Sequence, residues 1–217
     1  MLTICQHCGT PVVTPELLSW EKIAGNYHVK RAIEVACTGS HTLTLHTPAG
    51  LEVDALSLRQ WALDHGAGAV VIVSPCPCGN YGTSDRECTC NVELIAAYRD
   101  HDPAWQQAVN CDIHIDMVRP SYQQIVAVAT GKVQEVDAKV VERITQAQQY
   151  KLQHTIDPTL DETSYMLLGH ATRQLELSTV QVQHVLAVTM TITALCGVTK
   201  IHCAHLAEAI QYRQRQG

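Results

Sequence analysis

The chain has 217 residues, of which 46% are hydrophobic and none is Phe, so its core must be built mainly from Val, Leu, Ile and Ala. The formal net charge is -6, with 15 Lys and Arg, which argues against free-standing DNA binding because that affinity comes mainly from cations facing phosphates. Neither a signal-peptide pattern nor an apolar run of about 20 residues is found. We therefore expect a cytoplasmic protein whose ten cysteines stay reduced.

The first half of the chain alternates predicted helices and strands after a short Cys knuckle, CQHCG, that contains Cys5 and Cys8. Hydrophobic periodicity predicts helices over 20–37 and 51–63, the first of them ended by Gly39. Residues 42–46 and the apolar run AVVIV, 69–73, predict strands. Continuous apolar runs of this kind are typical of buried parallel strands.

The second half becomes helical. A Cys-rich loop precedes a helix capped by Asn91, residues 111–118 alternate as a strand does, and Ser121 with Gln124 forms a capping-box pattern. The remaining predicted helices cover 134–154, 159–175 (beginning at Asp157-Pro158), 178–195 (capped by Ser178) and 202–215. The predicted fold is thus an α/β core with a short, mostly parallel sheet, followed by an all-helical, lid-like domain. The expected domains are a Cys knuckle over 1–15, the α/β core over 16–130 with its Cys loop at 75–91, and the helical domain over 131–217.

The stretch LTLHTPAGLEVDAL has the strand–turn–helix outline of a phosphate-binding loop. The candidate nucleotide residues are Thr47, Pro48, Ala49, Gly50, Glu52, Val53 and Asp54. A functional loop would end in Gly-Lys-[Ser/Thr], and Glu52, Val53 and Asp54 stand at those three places. The stretch is therefore either a degenerate phosphate site or an ordinary strand and turn.

Four stretches, in the same order, together resemble the magnesium-chelatase-like AAA+ ATPases, in particular the competence-protein branch that includes a DNA branch-migration helicase. They are GNYHVKRAIEVACTGSHTL (25–43), the degenerate loop TPAGLEVD (47–54), SPCPCGNYGTSDRECTC (74–90) and AHLAEAIQYR (204–213). The resemblance implies an AAA+-like fold that is internally shortened. A family member would carry roughly a hundred further residues between the phosphate loop and the PCPCG loop, including the Walker B Asp-Glu.

The departures from the family pattern concern the charged residues. No apolar run followed by Asp-Glu is present, and Asp116, after the run IHI, only approximates it. The family's sensor asparagine is replaced by Ser74, and its arginine positions fall on Asn110, Val180, His184, Ala187 and Met190. A carboxylate about 4 Å from a phosphate is repelled by about 1 kcal/mol even in water, and by more in a cleft. We therefore predict that the loop does not bind ATP or magnesium and that the chain does not hydrolyse ATP.

The Cys loop offers four thiols in two C-x-C pairs: Cys76, Cys78, Cys88 and Cys90. Four thiolates can surround a tetrahedral zinc ion at about 2.3 Å, so zinc is the expected cofactor, the alternative being four reduced thiols in a turn. Cys5 and Cys8 resemble half a zinc ribbon and form a second candidate metal site.

Three functions remain open at this stage. The first is a catalytically inactive AAA+-like module that works by binding a protein partner, for which an active family member is the natural candidate. The second is a DNA-associated accessory module related to the branch-migration helicase, which the 15 Lys and Arg disfavour. The third is an ATPase completed in trans by a partner subunit. No contact with a membrane is expected.

Overall fold

The computed structural model describes residues 2–4, 11–13, 16–83, 86–132 and 136–213. Three parallel strands form the central sheet: β3 (Thr42–His46), β4 (Ala69–Val73) and β5 (Ile113–Asp116). Their order is β4-β3-β5, so β3 is the central strand. Two short strands near the start of the chain, β1 (Leu2–Ile4) and β2 (Pro11–Val13), form a separate antiparallel pair.

Helices occupy most of the remaining described chain. They are α1 (Tyr27–Gly39), α2 (Glu52–Asp64), α3 (Val92–His101), α4 (Pro103–Ala108), α5 (Tyr122–Ala129), α6 (Asp137–Gln153), α7 (Glu162–Gln174), α8 (Thr179–Leu195) and α9 (Cys203–Gln211). None of the helices in the described ranges is long and apolar enough to cross a membrane.

The two faces of the sheet are covered by different helices because successive side chains of a strand point to opposite faces. Leu43 and Leu45 of β3 join the main core with α1 and α2. On the other face, Val73 of β4 packs against Trp105 and Ala108 of α4. Both β3 leucines are fully buried, and burial of such a side chain contributes about 1.5–3 kcal/mol.

The C-terminal helices pack on the outer side of α1. Helices α6 and α8 both contact α1, and α9 packs on α7 and α8. The shared core includes Val140, Ile144, Val185, Ile192 and Leu206. The predicted fold class, a short parallel sheet with helices followed by a helical region, is confirmed, and it is consistent with the shortened AAA+-like fold that the resemblance implies.

Two predicted helix starts are wrong. The helix expected over 20–37 is interrupted: a 3-10 turn at Trp20–Lys22 is separated from α1 by Gly25 and Asn26, whose φ angles of 63° and 52° are left-handed. Helix α7 does not begin at Asp157-Pro158. The backbone N–H of Asp157 bonds to Thr199 O at 2.8 Å, and the helix begins after Asp161, whose carboxylate accepts from Ser164 N at 2.7 Å.

Candidate functional site

The turn after β3 and the Cys loop after β4 meet at the carboxyl edge of the sheet, where open α/β sheets bind their ligands. Thr47 N donates to Val73 O at 2.8 Å, and Ala49 N donates to Gly79 O at 3.1 Å. Between the turn, the Cys loop and α2 lies a cavity of about 390 Å³. Arg59, on α2, is the one cation among the described residues that line it.

The backbone of the turn has the strand–turn–helix form that the sequence predicts, but its donors are used within the chain. Gly50 N donates to both carboxylate oxygens of Glu52, at 2.9 and 3.0 Å. Leu51 N donates to Pro48 O at 3.3 Å, and a proline has no N–H. Every donor from residue 47 to 51 is therefore bonded to a protein acceptor, whereas a phosphate loop directs such donors at the anion.

The first turn of α2 carries acidic side chains where a phosphate site needs positive charge. Glu52 and Asp54 both lie in this turn, where the helix dipole favours a negative group. Burial raises the pKa of Asp54 above its ordinary value, and the Lys30 ammonium opposes that shift. A helix N-terminus is a favourable position for a bound anion. Here the chain's own Glu52 carboxylate occupies that position.

Arg119, three residues after the end of β5, joins the turn to the Cys loop. Its guanidinium donates to Ala49 O and to Asn80 Oδ1, the latter at 3.2 Å. The loops also touch at Gly79, whose φ is 74° and where an added Cβ would lie 2.7 Å from the Ala49 Cβ. Sequence reasoning missed Arg119 because no motif surrounds it and its partners are 70 and 39 residues away.

The four cysteines of the Cys loop converge. The Sγ atom of Cys76 lies 3.4 Å from that of Cys78 and 3.7 Å from that of Cys88, and the Cys78–Cys88 distance is 3.6 Å. All four Sγ atoms, including that of Cys90, lie within 4.8 Å of one another. A tetrahedral zinc with Zn–S bonds of about 2.3 Å has sulfur atoms about 3.8 Å apart, and a disulfide would need about 2.05 Å. The cluster can therefore hold a metal ion.

Backbone donors and neighbouring side chains support this cluster. Tyr81 N donates to the Cys76 Sγ at 3.3 Å. Backbone N–H groups of Asn80 and Thr89 lower the pKa of Cys78 to about 6, which favours the thiolate that a metal binds. The entry to the loop is fixed by Trp105 Nε1, which donates to Ser74 O at 2.9 Å. The second candidate site, Cys5 and Cys8, lies outside the described residues.

A pair of buried histidines lies under the same edge of the sheet. The His46 ring is 5.2 Å from the Trp105 ring and 5.9 Å from the His114 ring. In the described part of the chain, neither His46 nitrogen has a hydrogen-bond partner. Burial, followed by the charges of His114 and Arg99, lowers the pKa of His46 to about 3. Burial and the Arg213 charge lower that of His114 to about 4.

The residue at one of the family's arginine positions lies away from the cavity. His184, on α8, has its Nδ1 atom 3.5 Å from Asp112 Oδ1, next to the start of β5. Asp112 also accepts from Thr42 N at 2.9 Å and lies 3.6 Å from His41 Nδ1. These contacts connect α8 to the amino edge of the sheet, opposite the turn and the Cys loop.

Comparison with known families identifies the helical region. Residues 124–213 match the family described as magnesium chelatase, subunit ChlI, C-terminal. This match supports the resemblance of the chain to the magnesium-chelatase-like AAA+ proteins. Comparison with curated proteins gives no match. The magnesium-chelatase-like region begins within α5 and ends at Arg213, whose Nη1 donates to Cys111 O and Asp112 O at 2.9 and 2.8 Å. That side chain ties the end of the family region to the start of β5.

Proposed function

We propose that the chain is a catalytically inactive magnesium-chelatase-like module that acts by binding another protein. The observation that carries the proposal is the bond from Gly50 N to the Glu52 carboxylate. It supports inactivity because the amide that would face a phosphate already has an anionic partner. The stretches 25–43, 74–90 and 204–213 favour the competence-protein branch of the family.

Electrostatics add to this argument. At bulk-water permittivity, a phosphate placed about 4 Å from Glu52 meets roughly 1 kcal/mol of repulsion per charge, and the lower permittivity of a cleft increases it. To accept a hydrogen bond from Gly50 N, the phosphate must also displace the Glu52 carboxylate, which accepts from that N–H at 2.9 Å. Val53 supplies no compensating charge at the lysine position, and an arginine finger, worth about 10³–10⁵ in rate in related chemistry, has no counterpart at the family positions.

The proposed inactivity is tested by titrating the purified protein with a fluorescent ATP analogue in the presence of Mg²⁺. We expect no saturable signal up to about 1 mM. A matched variant, Glu52→Gly/Val53→Lys/Asp54→Ser, restores the loop pattern and should bind more tightly than the parent. Affinity of the parent protein tighter than millimolar would refute the proposal and favour an ATPase completed in trans.

An exposed apolar surface supports the proposed protein contact. Helix α5 has no buried residue, and Tyr122, Ile125 and Val126 on it are 80%, 49% and 37% exposed. Val118, 51% exposed, lies four residues before Tyr122 in the chain, and its backbone forms two hydrogen bonds with the Asn26 side chain. Tyr122, Ile125 and Val126 are three and four residues apart on one helix and so share a face, and an exposed apolar face is typical of protein interaction sites.

We propose that an active AAA+ relative binds this surface, because the family resemblance implies rings of neighbouring subunits. In co-elution with such a relative from the same host, Tyr122→Lys should abolish the complex. Met166→Lys, at another exposed position on α7 (64%), should preserve it. Equal behaviour of the two variants would contradict the assignment of the surface.

We further propose that the four-cysteine cluster binds zinc and thereby fixes the Cys loop against the turn. Sulfur spacings close to those of a tetrahedron support this proposal. Metal analysis of protein purified without chelators should give about one zinc per chain, and Cys76→Ser should lower it, while Cys196→Ser, at an exposed cysteine outside the cluster, should not. If residues 5 and 8 also bind zinc, the loss in Cys76→Ser is one ion of two.

A further inference from the structure

The outer edge of β4 is open in the described structure. Within the described ranges, β4 pairs with β3 alone, and no hydrogen bond from elsewhere reaches the backbone of residues 69–72. The opposite edge of the sheet differs, because His114 N of β5 donates to Tyr212 O at 2.8 Å. The unpaired edge therefore belongs to β4.

The β3–β4 pairing identifies the groups on this edge. In a parallel pair, alternate residues direct both backbone groups at the neighbouring strand. Val73 O accepts from Thr47 N, so Val73 and Val71 face β3. The N–H and C=O groups of Val70 and Ile72 then point outward. Val70 is 5% exposed and Ile72 is partly exposed, so an added strand pairs most directly with the groups of Ile72.

A groove with two distinct surfaces runs beside this edge. Ile72 and Leu56 supply apolar walls of the cavity, and Leu56 is 38% exposed. Arg59 is exposed in the same lining and, within the described part of the chain, forms no hydrogen bond or ion pair. An occupant therefore meets backbone groups, an apolar pocket and a cation within one turn of α2. The Glu52 carboxylate belongs to the same lining but lies seven residues before Arg59, about 10 Å away along the helix axis.

Exposed strand edges are normally protected. Proteins protect them with charged side chains, proline or bulges, since an unprotected edge pairs with other chains. The β4 sequence, AVVIV, has no charge and no proline, and its register with β3 is continuous. A strand edge of this composition is suited to pairing with a strand of another chain.

We propose that an extended segment of a partner protein adds to β4 as a fourth strand. One apolar side chain of the segment enters the groove between Leu56 and Ile72. Since alternate residues of a strand share a face, an acidic side chain two positions along faces Arg59. This inference extends the proposed action through a protein partner and names the chemistry of the contact.

Charge favours a different chain over a second copy of this one. Antiparallel pairing of β4 with its own copy would create a two-fold axis through the strand pair and bring the two α2 helices side by side. Arg59 lies near the middle of α2 (Glu52–Asp64), so the two arginines would meet close to the axis and repel each other. A segment with an acidic residue makes the opposite, attractive contact.

The test uses the full chain and two labelled nonapeptides followed by fluorescence anisotropy. The first, Lys-Thr-Leu-Thr-Asp-Thr-Leu-Thr-Lys, alternates apolar and acidic residues on one face, and the second carries Lys in place of Asp. We expect saturable binding of the acidic peptide and at least about tenfold weaker binding of the basic one. Arg59→Glu should reverse this preference.

The backbone contact is tested at Ile72. Ile72→Pro removes the outward N–H and leaves the bonds to β3, as proline does on an edge strand. It should weaken binding of the acidic peptide by about tenfold. Ile72→Val retains the N–H and should bind as the parent does. Far-UV circular dichroism verifies the fold of each variant. If Ile72→Pro does not fold, Ile72→Lys tests the apolar groove instead, and binding of the acidic peptide as tight as in Ile72→Val overturns the proposal.

The proposal is overturned if neither peptide binds saturably, or if Ile72→Pro binds as well as Ile72→Val. It is also overturned if the protein self-associates through this edge, shown by concentration-dependent sedimentation that Ile72→Pro abolishes. Any of these results leaves the nucleotide titration and the Tyr122→Lys co-elution unaffected, so the two proposals fail separately.

Discussion

Replacing the buried His46 with leucine should reduce the acid sensitivity of the fold. His46 is 3% exposed, and burial lowers its pKa to about 3 from an ordinary value of 6.5. Below pH 6.5 the unfolded chain takes up a proton at this histidine that the folded chain refuses until about pH 3. The free energy of unfolding therefore falls as the pH is lowered through this window, by about 1.4 kcal/mol per pH unit.

For His46 alone, this amounts to about 2 kcal/mol between pH 7.5 and pH 5. In His46→Leu, the loss of stability over that interval should be smaller than in the parent by about this amount. At pH 7.5 the variant should be at least as stable as the parent, because it removes two ring nitrogens that have no partner in the described structure.

The assay is urea unfolding followed by far-UV circular dichroism at several pH values. His170→Leu, at an exposed position on α7, is the matched control and should keep the pH dependence of the parent. Both variants retain the cysteine cluster, so acid release of a metal cancels in the comparison. Equal slopes for parent and His46→Leu would refute the reasoning.

Two further substitutions test contacts around the site and between helices. Gly79→Ala should loosen the Cys loop from the turn, because its Cβ would meet the Ala49 backbone N at 2.8 Å. The control is Gly82→Ala, where an added Cβ meets nothing within 4 Å. Gly79→Ala should lose zinc to a chelator faster than the control does, and equal rates would contradict the prediction. Glu34→Gln should lower the free energy of unfolding by on the order of 2 kcal/mol, because this buried carboxylate accepts from Arg31 and Arg143 at 3.1 and 2.6 Å; an unchanged urea midpoint would show that the ion pairs contribute nothing.

Local patterns in the sequence predicted the elements that local physics determines. The strands at 42–46 and 69–73 match the structure at both ends. The Asn91 cap and the capping box of Ser121 and Gln124 are confirmed, because each depends on residues within one helical turn. Helix α4 was not predicted, although Asp102 caps it and Pro103 occupies its first position.

The sequence could not predict contacts that depend on the assembled sheet. The acidic replacements in the nucleotide loop were visible, but the bond from Gly50 N to Glu52 depends on the φ of 92° at Gly50 and on the start of α2 at Glu52. The link from Arg119 to Ala49 requires β5 to lie beside β3, which periodicity does not specify. The open edge of β4 follows from strand order and could not be read from the apolar run alone.

The central claim is that the Glu52 carboxylate occupies the anion position at Gly50 N. The most direct test is to follow the amide resonance of Gly50 in a ¹⁵N-labelled sample. We predict that Mg²⁺ and ATP up to about 1 mM leave this resonance unmoved, and that Glu52→Gln, which removes the carboxylate charge, shifts it. A saturable shift of residues 47–54 on addition of ATP to the parent protein would contradict the account.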